Sequence, residues 1–184
     1  MASSADIETV LVKAAAGVLY PPSGPVVDAN VAVARGWPTE ADIRKAMSAG
    51  AHLIGVYAVP GMSRDVTKVL RNWRPVTDTL SAIEVGRIEQ IFRLDIWASN
   101  PNARDALLGR LVPALKFQTR YALPDGSTAT LMRIQVGGPN DQPSRTDEWA
   151  QHIDLMLQYP VIYTETQTAV VSAPTLTTIV TNPI

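Results

Sequence analysis

The chain contains no cysteine, so it carries neither a disulfide framework nor a thiolate metal site, and it suits a reducing compartment without requiring one. Histidine is almost as scarce. His52 and His152 are the two imidazoles, and neither stands in a ligand spacing such as His-Glu-x-x-His, which argues against zinc catalysis. Charge of one sign is also missing. Sixteen basic residues against seventeen acidic ones leave a net charge of -1, so no global field recruits nucleic acid or an anionic membrane, and any such contact must be local. No apolar run approaches the roughly 20 residues of a membrane span. Met1-Ala2-Ser3-Ser4-Ala5-Asp6 lacks the basic and apolar regions of a signal peptide. The phosphate-cradling Gly-x-x-x-x-Gly-Lys-Ser/Thr, the dinucleotide Gly-x-Gly-x-x-Gly and the nucleophile elbow Gly-x-Ser-x-Gly do not occur.

What is present is apolar material for one core. At 184 residues, 46% hydrophobic and 18% charged, the chain is read as one domain, residues 1–164, followed by an arm, residues 165–184. Ile7, Val10, Leu11, Ala14 and Val18 recur at helical spacing behind Ser3 or Ser4, either of which can cap, and the helix must stop before Pro21-Pro22. Residues 21–38 form a proline-containing surface connection, with a short strand in Val26-Val27 or Val31–Val33. Thr39 with Asp42 reads as a capping box for a short helix, Glu40 to Ser48, ended by Gly50. Ala51 to Val59 reads as a buried strand. Two more strands are expected at Val66–Trp73 and Thr79–Arg87, separated by Arg74-Pro75-Val76.

Residues 89–115 are the most informative. An alternating strand, Gln90 to Trp97, breaks at Ser99-Asn100-Pro101 and becomes a helix carrying Arg104 and Asp105. Phe92, Leu94, Ile96 and Ala98 share one strand face, and Leu107, Leu108, Leu111, Val112 and Leu115 make one helix stripe, so the two surfaces can cover each other. Pro113 predicts a kink or an early end, because it removes an amide donor and presses on the carbonyl of Gly109. Leu123-Pro124-Asp125-Gly126-Ser127 predicts a turn closing a hairpin between Arg120–Ala122 and Thr128–Val136. A polar loop, Gly137 to Asp147, precedes a strand, Trp149 to Tyr163, on which Ile153, Leu155, Leu157, Tyr159 and Val161 share a face. Thr164 to Ile184 is rich in Thr and Val and holds a single charge, Glu165. The expectation is an α+β fold: a small mixed or mostly antiparallel sheet, helices packed on one face, and an extended C-terminal arm.

Three groups of residues are candidates for function. His152 and Asp154 share a strand face near Asp147 and Glu148, which admits a small metal-dependent hydrolase as one class; the alternative is the polar face of a strand. Arg64, Lys68, Arg71 and Arg74, interleaved with Trp73, could meet nucleic-acid phosphates by counterion release or acidic residues of a neighbouring subunit, or simply guard a solvated edge strand. Thr166, Thr168, Val170, Leu176 and Ile179 favour extended structure, so the arm is expected to pair as a strand with another chain. His52, within an apolar strand, is expected to be a hydrogen-bonded core or interface residue, and Trp37, Trp97 and Trp149 core or interface anchors. No catalytic, cofactor-binding or metal-binding residue is assigned.

Gly61-Met62-Ser63-Arg64-Asp65-Val66-Thr67-Lys68 with Arg71-Asn72-Trp73-Arg74-Pro75, then Phe92 to Ala98 with Asn102-Ala103-Arg104-Asp105, then Asp154-Leu155-Met156-Leu157-Gln158-Tyr159, resemble in order and spacing the small neck and tail-completion proteins of contractile-tailed bacteriophages, tail terminators above all. The likeness covers roughly residues 50–165. It implies a small sheet with helices on one face and a non-enzymatic virion protein, made in the host bacterial cytoplasm and resident in the tail or neck. It further implies a six-membered homo-oligomeric ring capping the tail tube and sheath, joined to neck or connector proteins, with non-specific DNA contact in the lumen and no cofactor or membrane. The connection between Thr77-Asp78 and Gly86 is short where some relatives carry an inserted module, so a head–tail connector, collar or gateway neck protein is the alternative.

Overall fold

The computed structural model of the protein describes residues 3–23, 30–66, 72–77, 80–142 and 148–166; for 72–83, 141–148 and 163–166 within these it describes the backbone alone. The elements run α1 (Ser4–Leu19), β1 (Val31–Arg35), α2 (Glu40–Ser48), β2 (His52–Asp65), β3 (Asn72–Thr77), β4 (Leu80–Ala98), α3 (Pro101–Phe117), β5 (Arg120–Ala122), β6 (Thr128–Val136), β7 (Asn140–Gln142) and β8 (Glu148–Thr166). The fold is α+β, built on one mixed sheet ordered β1-β2-β4-β8-β6-β5, with β3 added to β4 and β7 to β8. β1 and β2 are parallel and joined through α2; the other pairs are antiparallel.

The helices begin where their sequences supply partners for orphan amides. Ser3 caps α1, its hydroxyl accepting from the Asp6 amide at 3.3 Å while the Asp6 carboxylate accepts from the Ser3 amide at 2.8 Å. The Ser3 amide and hydroxyl, both donating to that carboxylate, hold the Asp6 carboxyl below its ordinary pKa. Thr39 and Asp42 do the same for α2. Asn100 caps α3, which opens on Pro101, where a missing amide costs nothing. α3 continues past Pro113 to Phe117, so the early end does not occur. Leu111 and Leu115, on either side of the proline, are both buried against the sheet, and that packing holds the last turn.

Register puts the apolar rows in line. Leu94 pairs with Val56 and Ile153, Phe92 with Ala58 and Leu155, and Ile96 with Ile54 and Gln151. This face is covered by Ile7, Leu11, Ala15 and Leu19 of α1 and by Leu107, Leu111 and Leu115 of α3, all in one buried cluster. The expected strand-to-helix packing of residues 92–115 is therefore present. α2 departs from the one-face expectation: Ile43 packs on Leu53 and Trp97, which alternate with Ile54 and Ile96 and so lie on the reverse face. A crossover between parallel strands must pass over a face, and the long helices already hold the other.

The strands are longer than the sequence suggests. β4 and β8 each have 19 residues, against a usual 5–6, because glycine and proline bend them without ending them. Gly86 sits at a register shift in β4 after Glu84, and Gly61, with φ 72°, sits within the shift of β2 between Ala58 and Ser63. The strands expected at Thr79–Arg87 and Gln90–Trp97 are thus one. Of the strand expected at Val66–Trp73, Asn72 and Trp73 belong to β3, which also contains the expected break Arg74-Pro75-Val76; among the described residues β3 pairs with β4 alone, so a proline is tolerated there. Residues 67–71, like Val26-Val27, lie outside the described residues. Asn140–Gln142, expected as loop, pairs with Glu148–Ala150. The hairpin of β5 and β6 forms as expected, with Gly126 at φ 75°. Thr164 to Thr166 belong to β8, and the rest of the arm lies outside the described residues.

Candidate functional site

Of the basic strip, the structure describes one side chain, that of Arg64. Arg64 is the penultimate residue of β2, and its Nε and a terminal nitrogen lie 2.9 and 2.8 Å from Glu89 Oε2. Glu89 is buried, and its other oxygen accepts from Gln158 at 3.3 Å. The guanidinium is therefore spent on a carboxylate of its own sheet, whose burial needs that charge. Arg74 lies on β3, where the backbone alone is described, and Lys68 and Arg71 are outside the described residues. Thr166 is the last residue of β8; Thr168, Val170, Leu176 and Ile179 are likewise outside.

A second constellation lies on the reverse face. Cross-strand pairing sets Arg93 opposite Asp154 and Asp95 opposite His152, while Tyr57 of β2 is Arg93's neighbour on the other side. The Arg93 fork donates to both Asp154 oxygens, at 2.7 and 3.0 Å. The Tyr57 hydroxyl donates to Asp95 Oδ2 at 2.5 Å. His152 Nε2 stands 3.9 Å from Asp154 Oδ2. Trp37 is 63% exposed, yet its ring meets Tyr57 and Trp97 edge-on at centroid distances of 5.1 and 5.6 Å. Trp37, Trp97, Arg93, Asp95 and His152 line a recess of about 340 Å³.

Environment shifts the titrations. Burial raises the Asp95 carboxyl above its ordinary value, opposed by the Tyr57 hydrogen bond and the Arg93 charge. Burial, reinforced by the bond and charge of Asp95, pushes the Tyr57 hydroxyl up. The Asp154 hydrogen bonds push Arg93 up. Gly137 lies flat on the His152 ring: a Cβ there would sit 2.1 Å from the imidazole. Its amide also donates to the His152 carbonyl at 3.0 Å. His152 is thus fixed from behind by backbone.

Of the residues considered for hydrolysis, His152 and Asp154 come together; Asp147 lies outside the described residues, and Glu148 is described by backbone alone. Asp154 holds Arg93 with both oxygens, so using it as a base or ligand would first break a bidentate pair. Among the described residues no three His, Asp or Glu side chains are grouped to hold a metal, and no buried side-chain nitrogen or oxygen lacks a partner. The expectation for His52 is met: it is buried, and its Nδ1 accepts from the Ser99 amide at 3.3 Å. Trp97 is buried as expected; Trp37 is largely exposed. Tyr57, Arg93 and Asp95 were not among the sequence candidates. Their signal was the polar alternation of β4 together with its charge match to β8, where Arg93 and Asp95 face Asp154 and His152 in reverse order.

Comparison with protein-family models and with curated proteins finds no match. Among the described residues no helix is long and apolar enough to cross a membrane.

Proposed function

We propose that the chain is a structural virion protein, a tail terminator that forms a ring of about six copies, caps the phage tail tube and sheath, and joins the tail to the neck. Its work is contact rather than catalysis, with DNA passing through the ring lumen. The observation that carries this reading is a sheet that outruns its core. Among the described side chains, the buried residues of β8 stop at Tyr159 and those of β4 begin at Glu89, while Pro160 to Ile162 and Glu84 to Ile88 beyond them are half-buried. A sheet continued beyond its core offers a surface for a partner. Two separate pieces of the resemblance, Phe92–Ala98 and Asp154–Tyr159, also touch in the core-backed part of the same strand pair, where Phe92 faces Leu155 and Arg93 faces Asp154.

The test is the mass of the purified particle followed by its binding to isolated tails. A ring of about six copies that binds tube and sheath ends is the expected result. A ring that binds the portal side would make the chain a head–tail connector, collar or gateway neck protein, and a stable monomer that binds neither would overturn the reading.

A further inference from the structure

The sheet manages its edges unequally. β1 has five residues and β5 three, and β3 carries Pro75, which has no amide to donate. At the edge of β2 the Ala58 amide is covered by α1, since Glu8 Oε1 accepts from it at 2.8 Å. β8 differs. On its side away from β4, β6 pairs no further than Thr130 with Gln158, and among the described residues nothing pairs with that side from Tyr159 to Thr166. Pro160 stands where the strand first becomes an edge, the place where a missing donor is tolerated, and Val161 to Thr166 follow without a proline. Their backbone groups on that side form a ready template for one more strand.

Directly after Thr166 comes a segment suited to supply it. Residues 167–184 include Val170, Val171, Leu176, Ile179 and Val180 and carry no charged side chain. At about 3.3 Å per residue they reach roughly 60 Å when extended. Folding back onto the chain's own β8 would need a tight reversal at once. Gln167-Thr168-Ala169-Val170-Val171-Ser172 offers no Gly, Asn, Asp or Pro for one. The first turn signal is Ser172-Ala173-Pro174, and a hairpin there would pair the segment with itself, leaving the β8 edge open.

We infer that residues 167–184 of one copy add as a strand to the outer edge of β8, Val161–Thr166, in a second copy. Donor and recipient are different surfaces, so the contact is heterologous and repeats head to tail, which is the kind of joint that closes a ring. The inference rests on the ring proposed above, and names the seam that holds it.

The absence of cysteine makes the test direct. Full-length chains carrying Val161→Cys or Ile162→Cys, each combined with one cysteine placed singly from Thr168 to Ser172, are assembled, oxidised and weighed. A ladder of multiples of the 19.9 kDa chain is expected for at least one pairing. A chain ended at Thr166, with the circular dichroism of the full chain, should associate at least about 100-fold more weakly. Monomers closed by an internal disulfide, or no disulfide at any pairing in chains that do associate, would overturn the inference. So would an arm-less chain that assembles as well as the full one; that result would leave the ring standing, whereas a full chain that never associates would remove both.

Discussion

Replacing Leu111 by alanine tests the central packing directly. Leu111 is fully buried at the middle of the α3 stripe, flanked by Leu107 and Leu115, which are 3% and 1% exposed, and it joins the cluster that includes Phe92, Leu94 and Ile96. Buried Leu→Ala changes cost about 2–5 kcal/mol, the larger values arising where neighbours cannot collapse into the space. The two flanking leucines hold α3 at its distance from the sheet, so the void stays open and a loss of about 3–5 kcal/mol is expected. In urea, with a slope of about 2–3 kcal/mol/M, the midpoint should fall by roughly 1–2.5 M with the slope unchanged. Both proteins must be measured at one concentration, because assembly adds to apparent stability. Leu108→Ala, at a half-buried position on the flank of the stripe, should cost less than half as much. A Leu111→Ala loss below about 1 kcal/mol would refute the packing of α3 on β4.

Gly137→Ala should displace the His152 ring, since the new Cβ would lie 2.1 Å from it; the expected reading is a moved imidazole resonance and a loss of about 1–3 kcal/mol, and an unmoved resonance would count against the contact. Asp95→Asn should change how stability depends on pH. With its folded pKa raised by burial, Asp95 binds its proton more tightly in the native chain, so its contribution is fully present below about pH 3.9 and is lost as pH rises through the folded value. The variant should therefore be less weakened than the parent on raising pH across that interval; equal slopes would show that Asp95 does not titrate abnormally.

Local signals in the sequence translated directly. Ser3-Asp6 and Thr39-Asp42 marked helix starts because a cap involves residues three apart, and Phe92, Leu94 and Ile96 marked a core face because alternation needs no partner to be seen. Strand ends were harder. Gly61, Pro75 and Gly86 are breakers by propensity, but at a bulge or an edge the ladder absorbs them, and only the neighbouring strand determines which outcome holds. The polar face was half legible for the same reason. His152 and Asp154 lie two residues apart in sequence, whereas Tyr57, Arg93 and Asp95 join them through register, which depends on where β8 docks on β4. The face chosen by α2 depended on a decision made elsewhere in the chain, once α1 and α3 had covered the other side.

The pairing of β4 with β8 carries a cost in time. Ala98 meets Trp149 and Leu80 meets Thr166, so every bond of this ladder waits until α3 and the β5–β7 segment have been made. During synthesis β4 can pair with β2 and β3 on one side while its other side stays bare. Contacts this distant in sequence slow the search for the native state, and a bare strand in the meantime can pair with the wrong chain. Substitutions in β8 should therefore reduce the yield of folded protein in the cell more than their effect on the finished molecule's stability suggests.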